Sequence, residues 1–259
     1  MEITLSELTQ RAKNGEVKAM VALGDYYNQN WAEYADEAED WYEAAAKQGN
    51  CYAMMMTISL KKTHALVRLV GLEVSGWDWV KQPLYEAYRW CNELITCFHN
   101  NHPGIEKVDA AFALKNIKET SYYLALCKFL SQDFAGILSL LDDTSLDSAA
   151  LLKGVILFKG AETASDYEQA YSYLSRIENN REYAESKKIK EEDVIYGQAA
   201  AYASICLRMG LGTAQNVNAA AQVLTTTLNT LHDERTKSIV SGELQHYRKK
   251  TFGGYVYVE

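Results

Sequence analysis

The sequence predicts an all-α protein, a superhelical stack of antiparallel helix pairs with a possible short β segment at the C-terminal end. Only two prolines, Pro83 and Pro103, occur in 259 residues, so few positions force a helix to break. Apolar residues recur at spacings of three and four, which is the period of a helix face rather than of a strand. Blocks of sequence also recur along the chain, as expected when one helical unit is copied and stacked.

The clearest repeat has a spacing of 34 residues, which relates 11–20 to 45–54. Half of the positions are identical in the two copies: Ala12/Ala46, Lys13/Lys47, Gly15/Gly49, Ala19/Ala53 and Met20/Met54. We expect Gly15 and Gly49 each to end one helix and let the next begin, because glycine reaches positive φ without a Cβ clash.

The first unit is predicted to be a hairpin of two helices whose apolar stripes face each other. One stripe consists of Ala19, Met20, Leu23, Tyr26 and Tyr27, and the other of Ala38, Trp41, Tyr42 and Ala45. Trp41, and Trp90 in a later copy, are therefore predicted to be core residues. Because one hairpin cannot bury its own apolar face, successive hairpins must stack.

A second repeat, at a spacing of 50 residues, relates two parts of the C-terminal half. Ala149, Ala150, Leu157, Gly160, Thr163, Ala164, Ala170 and Leu174 recur as Ala199, Ala200, Leu207, Gly210, Thr213, Ala214, Ala220 and Leu224. A shorter match relates Glu37-Ala38-x-x-Trp41 to Glu86-Ala87-x-x-Trp90.

We therefore predict a single helical repeat domain over residues 1–259. Its regular repeats lie at about 4–60 and 146–230, and a C-terminal tail follows at 248–259. The region at about 61–145 is interpreted as degenerate or inserted, because 61–83 and 99–146 follow no clean repeat.

The run from Ala19 to Tyr27, followed by the run from Asp36 to Asn50, resembles a Sel1-like repeat. That repeat has an alanine-rich first helix ending in Leu-Gly-x-x-Tyr and a second helix with Ala-x-x-Trp-Tyr-x-x-Ala-Ala closing in Gly-Asn. Looser copies lie at 158–174 and 206–220, and Asn28 replaces the loop glycine in the first unit. The resemblance implies a TPR-like α-solenoid whose surface binds another protein, as in adaptors and scaffolds.

The charge balance restricts the partner. With 26 Lys+Arg against 34 Asp+Glu, the net charge is −8, which argues against nucleic acid, since phosphate binding requires clustered positive charge. The same charge favours a partner protein with a basic surface.

The segment 1–7 lacks the basic and apolar regions of a signal peptide, and no apolar run is long enough to span a membrane. Five cysteines without a Cys-x-x-Cys pair fit free thiols, so we expect a cytoplasmic protein without membrane contact.

Motifs that carry chemistry are weak in this sequence. Gly210-x-Gly212 follows a helix and lacks a third glycine, so we interpret it as a helix–helix loop rather than a phosphate cradle. Cys97, His99 and His102 crowd one turn and offer three metal ligands, but no fourth is evident nearby, and ordinary turn material is the preferred interpretation. We therefore expect no metal, no cofactor and no enzymatic activity.

Residues suited to binding are easier to find. Six acids and no base lie between positions 33 and 43, namely Glu33, Asp36, Glu37, Glu39, Asp40 and Glu43. A solvated outer face with acids at a helix N-terminus and a docking strip for a basic partner both remain open. Trp31 and Tyr34 in the preceding loop, and Trp77 and Trp79 in the inserted region, add aromatic side chains of the kind found at interface hot spots.

The C-terminal segment 252–258 alternates aromatic and β-branched residues at period two, which predicts a strand. It could cap the last repeat, pair with a second copy, or add a strand to a partner. The candidate partner-binding residues are Trp31, Glu33, Tyr34, Asp36, Glu39, Asp40, Trp77, Trp79, Tyr255 and Tyr257.

Three functions follow from these observations. The first is a non-catalytic adaptor or scaffold, monomeric or homodimeric, that binds a partner protein through its helical surface. The second is a bacterial immunity protein that binds and neutralises a toxin, since some small Sel1-like proteins serve in that way. The third, an enzyme on a helical frame, is disfavoured by the weak motifs.

Overall fold

The computed structural model describes residues 3–71, 77–143, 145–179, 190–251 and 253–258. Helices dominate these ranges, and the strands within them form one short C-terminal hairpin, so the predicted all-α class with a β segment is confirmed. The chain divides into two compact units, Met1–Ala135 and Gly136–Glu259.

The first unit consists of helices that each pack on the next. They are α1 (Leu5–Lys13), α2 (Val17–Asn28), α3 (Trp31–Ala46), α4 (Cys51–Gly71), α5 (Asp78–His99) and α6 (Ala110–Leu130), with a 3-10 turn at Ile105–Lys107. Helix α4 packs on α3, α5 and α6 and is therefore central to this unit.

The turn between α3 and α4 is a Schellman motif. The Gly49 N–H donates to the Ala46 carbonyl at 2.9 Å and the Asn50 N–H to the Ala45 carbonyl at 3.2 Å. Gly49 has φ +84° and Gly15, its counterpart in the repeat, has φ +91°, so the predicted helix-ending role of both glycines is confirmed.

Tyr42 of α3 is the largest fully buried side chain of the first unit. Its ring lies against Gly24 of α2, where an added Cβ would come within 2.7 Å of the ring, so this helical position requires glycine. The Tyr42 hydroxyl donates to Asp25 Oδ1 at 2.7 Å, and the Tyr52 hydroxyl donates to the same oxygen at 3.0 Å. The pair of hydrogen bonds joins α2, α3 and α4.

The predicted stripes are largely confirmed, with two corrections. Ala19, Met20, Leu23, Ala38, Tyr42, Ala45 and Trp90 are all buried. Tyr26, however, is 46% exposed, because the buried face of α2 includes Leu23 and Gly24 and not Tyr26. Trp41 is half-buried and packs at the edge of the core rather than inside it.

The regions without a clean repeat contain further helices joined by turns. Residues 61–83 include the second half of α4 and the start of α5, and α6 lies within 99–146. Residues 72–76, which directly precede Trp77 in the inserted region, lie outside the described residues.

The second unit contains two repeat-related hairpins. Its elements are α7 (Ile137–Leu140), α8 (Asp147–Lys159), α9 (Ala164–Leu174), a 3-10 turn (Ser175–Asn179), α10 (Lys190–Met209), α11 (Val217–Thr230), α12 (Glu234–Leu244), β1 (Tyr247–Lys249) and β2 (Tyr255–Tyr257). Helix α8 packs on α9 and α10, and α10 packs on α11 and α12. The repeat at a spacing of 50 residues therefore relates α8–α9 to α10–α11. Its buried members are Ala149, Ala150, Ala170, Leu174, Ala199, Ala200, Leu207, Ala220 and Leu224.

The C-terminal hairpin lies against the second unit. Strands β1 and β2 are antiparallel, with Tyr247 opposite Tyr257. The Tyr255 N–H donates to Asn218 Oδ1 at 2.6 Å, and the Arg208 guanidinium lies 3.9 Å from the centroid of the Tyr257 ring. The sequence left three roles open for the tail, and this arrangement agrees with the one in which the tail caps the last repeat.

Candidate functional site

An acidic face, defined as Glu33, Asp36, Glu37 and Asp40, runs along the solvent side of α3. All four side chains are exposed, and none forms an ion pair with a basic residue within the described ranges. Asp36 and Asp40, on the regular part of α3, are a like-charge pair at i,i+4, which is unfavourable by about 0.2–0.5 kcal/mol. The face is therefore a concentration of negative charge that the described part of the chain leaves unneutralised.

Local backbone geometry gives this face part of its stability. Tyr34 has non-helical angles, φ −129° and ψ 32°, which kink α3 near its start. Asp36 and Glu37 therefore lie in the first turn of the regular helix that follows. There the helix dipole favours carboxylates by about 0.3–1 kcal/mol each. The predicted benefit of acids at a helix N-terminus thus applies to only part of the strip.

The remaining acids of the strip face Lys61 of α4. Lys61 is 4% exposed, and its Nζ lies 2.7 Å from Glu39, 3.1 Å from Glu43 and 2.7 Å from Glu86 of α5. His64 Nδ1 lies 2.8 Å from the second carboxylate oxygen of Glu39. Glu39 was predicted to contact a partner, but its side chain is occupied by these intramolecular contacts, which connect α3, α4 and α5.

The two groups of acids differ in their pKa shifts. Burial acts to raise the pKa of Glu39 and of Glu43, but hydrogen bonds from Lys61 and other basic groups outweigh it and lower both. The pKa of Asp40 is raised, first by partial burial and then by the neighbouring charges of Glu39, Glu43 and Asp36. An approaching cation would relieve the repulsion that raises the pKa of Asp40.

Tyrosines border the acidic face at the junction of α2 and α3. The Tyr27 ring lies 5.3 Å from that of Tyr26 and 5.7 Å from that of Tyr34. Tyr26 is 46% exposed and Tyr34 is 36% exposed. The sequence placed Trp31 and Tyr34 in a loop, which is wrong: both belong to α3, and Trp31 is half-buried against the core.

Sequence reasoning missed Tyr26, which it assigned to the core stripe. Adjacent residues on a helix point about 100° apart, and an apolar stripe can include both, as with Ala19 and Met20, so the doublet Tyr26-Tyr27 did not show which tyrosine is exposed. Tyr26 and Tyr34 are the exposed aromatic side chains beside the charges.

The second aromatic pair lies at the start of α5 rather than in an irregular insertion. Trp77 directly precedes α5 and is half-buried, whereas Trp79 in its first turn is 62% exposed. The Arg68 guanidinium lies 4.5 Å from the Trp79 ring centroid and donates to the Trp79 carbonyl at 3.2 Å. One face of this indole is therefore covered by a cation and the rest is available to solvent.

The third pair, Tyr255 and Tyr257, lies on β2 of the second unit. Both side chains are half-buried because the hairpin packs on its own unit. The ten candidate residues thus fall on three elements, and only α3 brings several of them together as one surface.

A cluster of thiols and imidazole lies at the α4–α5 end of the first unit. The ligating atoms of Cys51, Cys97 and His102 all lie within 4.8 Å of one another. The sequence grouped Cys97 and His102 with His99, but His99 is exposed and is not among the converging groups, whereas Cys51 comes from α4. Burial, followed by the nearby Cys97 thiol, raises the pKa of Cys51 to about 12, so this thiol is protonated at neutral pH.

Two further predictions about motifs are confirmed. Gly210 and Gly212 have φ +72° and +66° and form the loop between α10 and α11, as expected of a helix–helix connection. The five cysteines are buried and free, namely Cys51, Cys91, Cys97, Cys127 and Cys206.

Comparisons with known proteins add little to this geometry. Across the described ranges, none of the helices combines the length and apolar character that a membrane crossing requires. No protein-family model and no curated protein sequence matches the chain.

Among solved structures, the chain is similar to a protective antigen present in uropathogenic Escherichia coli strains that displays an SLR fold. The identity is 12%, the TM-score is 0.23, and the match covers 93% of this chain and 70% of that chain. A TM-score this low carries no argument, so the fold class stated above depends on this chain's own elements.

Proposed function

We propose that this protein is a non-catalytic interaction module that binds a basic partner protein through the acidic face of α3. The single observation that supports this function is that four exposed carboxylates lie on one helix and none of them forms an ion pair with a basic residue among the described residues. The chain bears the repulsion between these carboxylates when it is alone, and a partner with Lys or Arg side chains would remove it.

Tyr26 and Tyr34 supply the second element that a recognition surface requires. Surface charge mainly accelerates encounter, whereas aromatic side chains supply much of the affinity once water is excluded. A tyrosine offers apolar area and a hydroxyl, and loses little rotamer freedom when it becomes buried. Charge and aromatic area at one place therefore favour a protein surface over a lone cation as the ligand.

The Lys61 network would hold this surface rigid. It connects α3 to α4 and α5 through Glu39, Glu43 and Glu86, so the acidic face has a fixed backbone to present. A preformed surface binds more tightly than one that must be ordered on binding.

The test compares the wild-type chain with the triple variant Asp36→Asn, Glu37→Gln, Asp40→Asn. Each chain is used to capture partners from an extract of the native host, with cross-linking and mass spectrometry to locate the contact. We expect one basic protein to cross-link near α3 of the wild type, with an affinity that falls as ionic strength rises. The triple variant should lose at least about tenfold in affinity, since rim charges mainly affect association.

The matched control removes three exposed acids elsewhere, as Glu162→Gln, Glu168→Gln, Glu234→Gln. It changes the net charge by the same amount and should bind like the wild type. Equal capture by the triple variant and the wild type would refute the proposal.

The same experiment separates the adaptor from the immunity protein. A captured partner that is toxic when produced alone, and harmless when produced with this chain, identifies an immunity function. A partner without toxicity supports an adaptor.

A further inference from the structure

We propose that Cys51, Cys97 and His102 bind a thiophilic divalent metal ion, with Zn²⁺ the ion that this ligand set fits best. The two thiol sulfurs and a ring nitrogen of His102 lie within 4.8 Å of one another. Cys thiolate together with His imidazole is a ligand set that Zn²⁺ commonly takes in proteins. None of the residues of the acidic face takes part, so this site does not depend on the proposed function.

Helix-ending geometry places two of the ligands side by side. Helix α5 ends in a Schellman motif in which the His102 N–H donates to the Cys97 carbonyl at 2.9 Å and the Asn101 N–H to the Phe98 carbonyl at 3.3 Å. Asn101 takes the left-handed conformation, φ +47°, that this motif requires. The motif brings its first and last residues together, and here these residues are Cys97 and His102.

The third ligand enters from the neighbouring turn. Cys51 is the first residue of α4, directly after the Schellman motif that ends α3 at Gly49. A Cβ on Gly49 would lie 3.8 Å from the His102 ring, an ordinary van der Waals contact, so the imidazole lies directly beside this turn. The repeat does not dictate a thiol here, because Val17 occupies the same position in the preceding copy.

The distances are close to those of an occupied site. Zn–S bonds of about 2.3 Å and Zn–N bonds of about 2.0 Å put neighbouring tetrahedral ligand atoms about 3.5–3.8 Å apart. Cys51 Sγ already lies 3.4 Å from His102 Nδ1. Small side-chain rotations would bring the other pairs, now within 4.8 Å, to the same spacing.

The surroundings provide access. His102 Nδ1 also lies 2.9 Å from the Pro103 carbonyl oxygen, which can only accept a hydrogen bond, so a metal ion bound at Nδ1 would replace this contact and the ring proton would lie on Nε2. Cys51 also lines a cleft of about 200 Å³, together with Gly49, Asn50 and Gly104, that opens to solvent. The ion could enter there with a water as fourth ligand, and the two thiol protons would pass to solvent on binding.

The experiment uses the full chain, reduced and freed of metal, with Co²⁺ as the probe. We expect one Co²⁺ per chain with a thiolate-to-cobalt charge-transfer absorption, displaced by one equivalent of Zn²⁺. Cys51→Ser, Cys97→Ser and His102→Ala should each weaken binding by at least about 100-fold. The matched controls are Cys91→Ser, a buried thiol on α5, and His99→Ala, an exposed imidazole at the end of α5, and both should keep the absorption.

A second measurement needs no variant and guards against variants that fail to fold. Zn²⁺ should slow the alkylation of Cys51 and Cys97 in the wild type, read by mass spectrometry, while leaving that of Cys206 unchanged. Absence of the charge-transfer absorption in the reduced wild type would overturn the site. So would equal protection of all cysteines, or equal loss of binding in the control variants.

Discussion

Replacing Lys61 by Met tests whether the Lys61 network holds α3, α4 and α5 together. The substitution keeps the length of the side chain and removes its charge, so Glu39, Glu43 and Glu86 would face one another without a cation. Removing one partner of a buried ion pair costs about 3–5 kcal/mol. The Glu86 side chain is 41% exposed and retains much of its hydration, so we expect the lower end, about 3 kcal/mol.

The assay is urea unfolding followed by circular dichroism, with the midpoint and the slope both fitted. Lys47→Met is the matched control, because Lys47 pairs with Glu43 at 2.9 Å but its side chain is 61% exposed. Loss of the Lys47–Glu43 ion pair should lower the free energy of unfolding by only about 0.3–0.5 kcal/mol, as for other exposed i,i+4 pairs.

The pH dependence gives the same prediction a second, signed test. In the wild type the pKa values of Glu39, Glu43 and Glu86 are lowered. Their contribution to stability is therefore complete above the ordinary glutamate pKa of about 4.3 and is lost as the pH falls through the lowered values.

In Lys61→Met the same carboxylates lose their cation, so burial and mutual repulsion should raise their pKa values. Protonation between about pH 7 and pH 5 would then relieve the repulsion and stabilise the variant, while the wild type changes little. The difference in the free energy of unfolding between the wild type and Lys61→Met should therefore become smaller as the pH falls through this range. The reasoning would be refuted if Lys61→Met lost no more stability than Lys47→Met. It would also be refuted if the difference in stability between Lys61→Met and the wild type did not change with pH.

Three further predictions concern the second unit. Gly212→Ala should destabilise it by at least about 2 kcal/mol in urea unfolding, because Gly212 has φ +66° and an added Cβ would lie 2.4 Å from the Tyr167 backbone. Gly242→Ala, in α12 with nothing within 4 Å of an added Cβ, should instead stabilise the chain by about 0.5–1 kcal/mol, and a loss there would contradict the helix assignment. Deleting residues 251–259 should cost about 2 kcal/mol by removing the cation–π contact of Arg208 and the backbone hydrogen bonds of β2. Unchanged stability after the deletion would instead leave the tail free to dock on a partner.

Local patterns account for what the sequence predicted well. The helical class, the glycine turns and the buried alanines of both repeats depend on contacts between residues a few positions apart or on one helix face. Gly49 is an example: the need for positive φ at the end of a helix is visible in the chain itself.

Periodicity alone misjudged the edges of the stripes. Tyr26 and Trp41 lie where an apolar stripe could include or exclude them, and only the direction from which α2 and α3 approach each other settled their exposure. The sequence also placed Trp31 and Tyr34 in a loop, and no glycine or proline marks the kink at Tyr34.

The candidate sites divide in the same way. The sequence by itself determined that six acids lie on one short stretch and that three ligand-type side chains, Cys97, His99 and His102, lie around the end of α5. Only the tertiary structure decided that Glu39 and Glu43 turn inward to Lys61, and that Cys51 joins Cys97 and His102. The physical reason is that ion pairs and metal-type clusters join side chains far apart in sequence, so their partners are set by how the helices pack and not by local spacing.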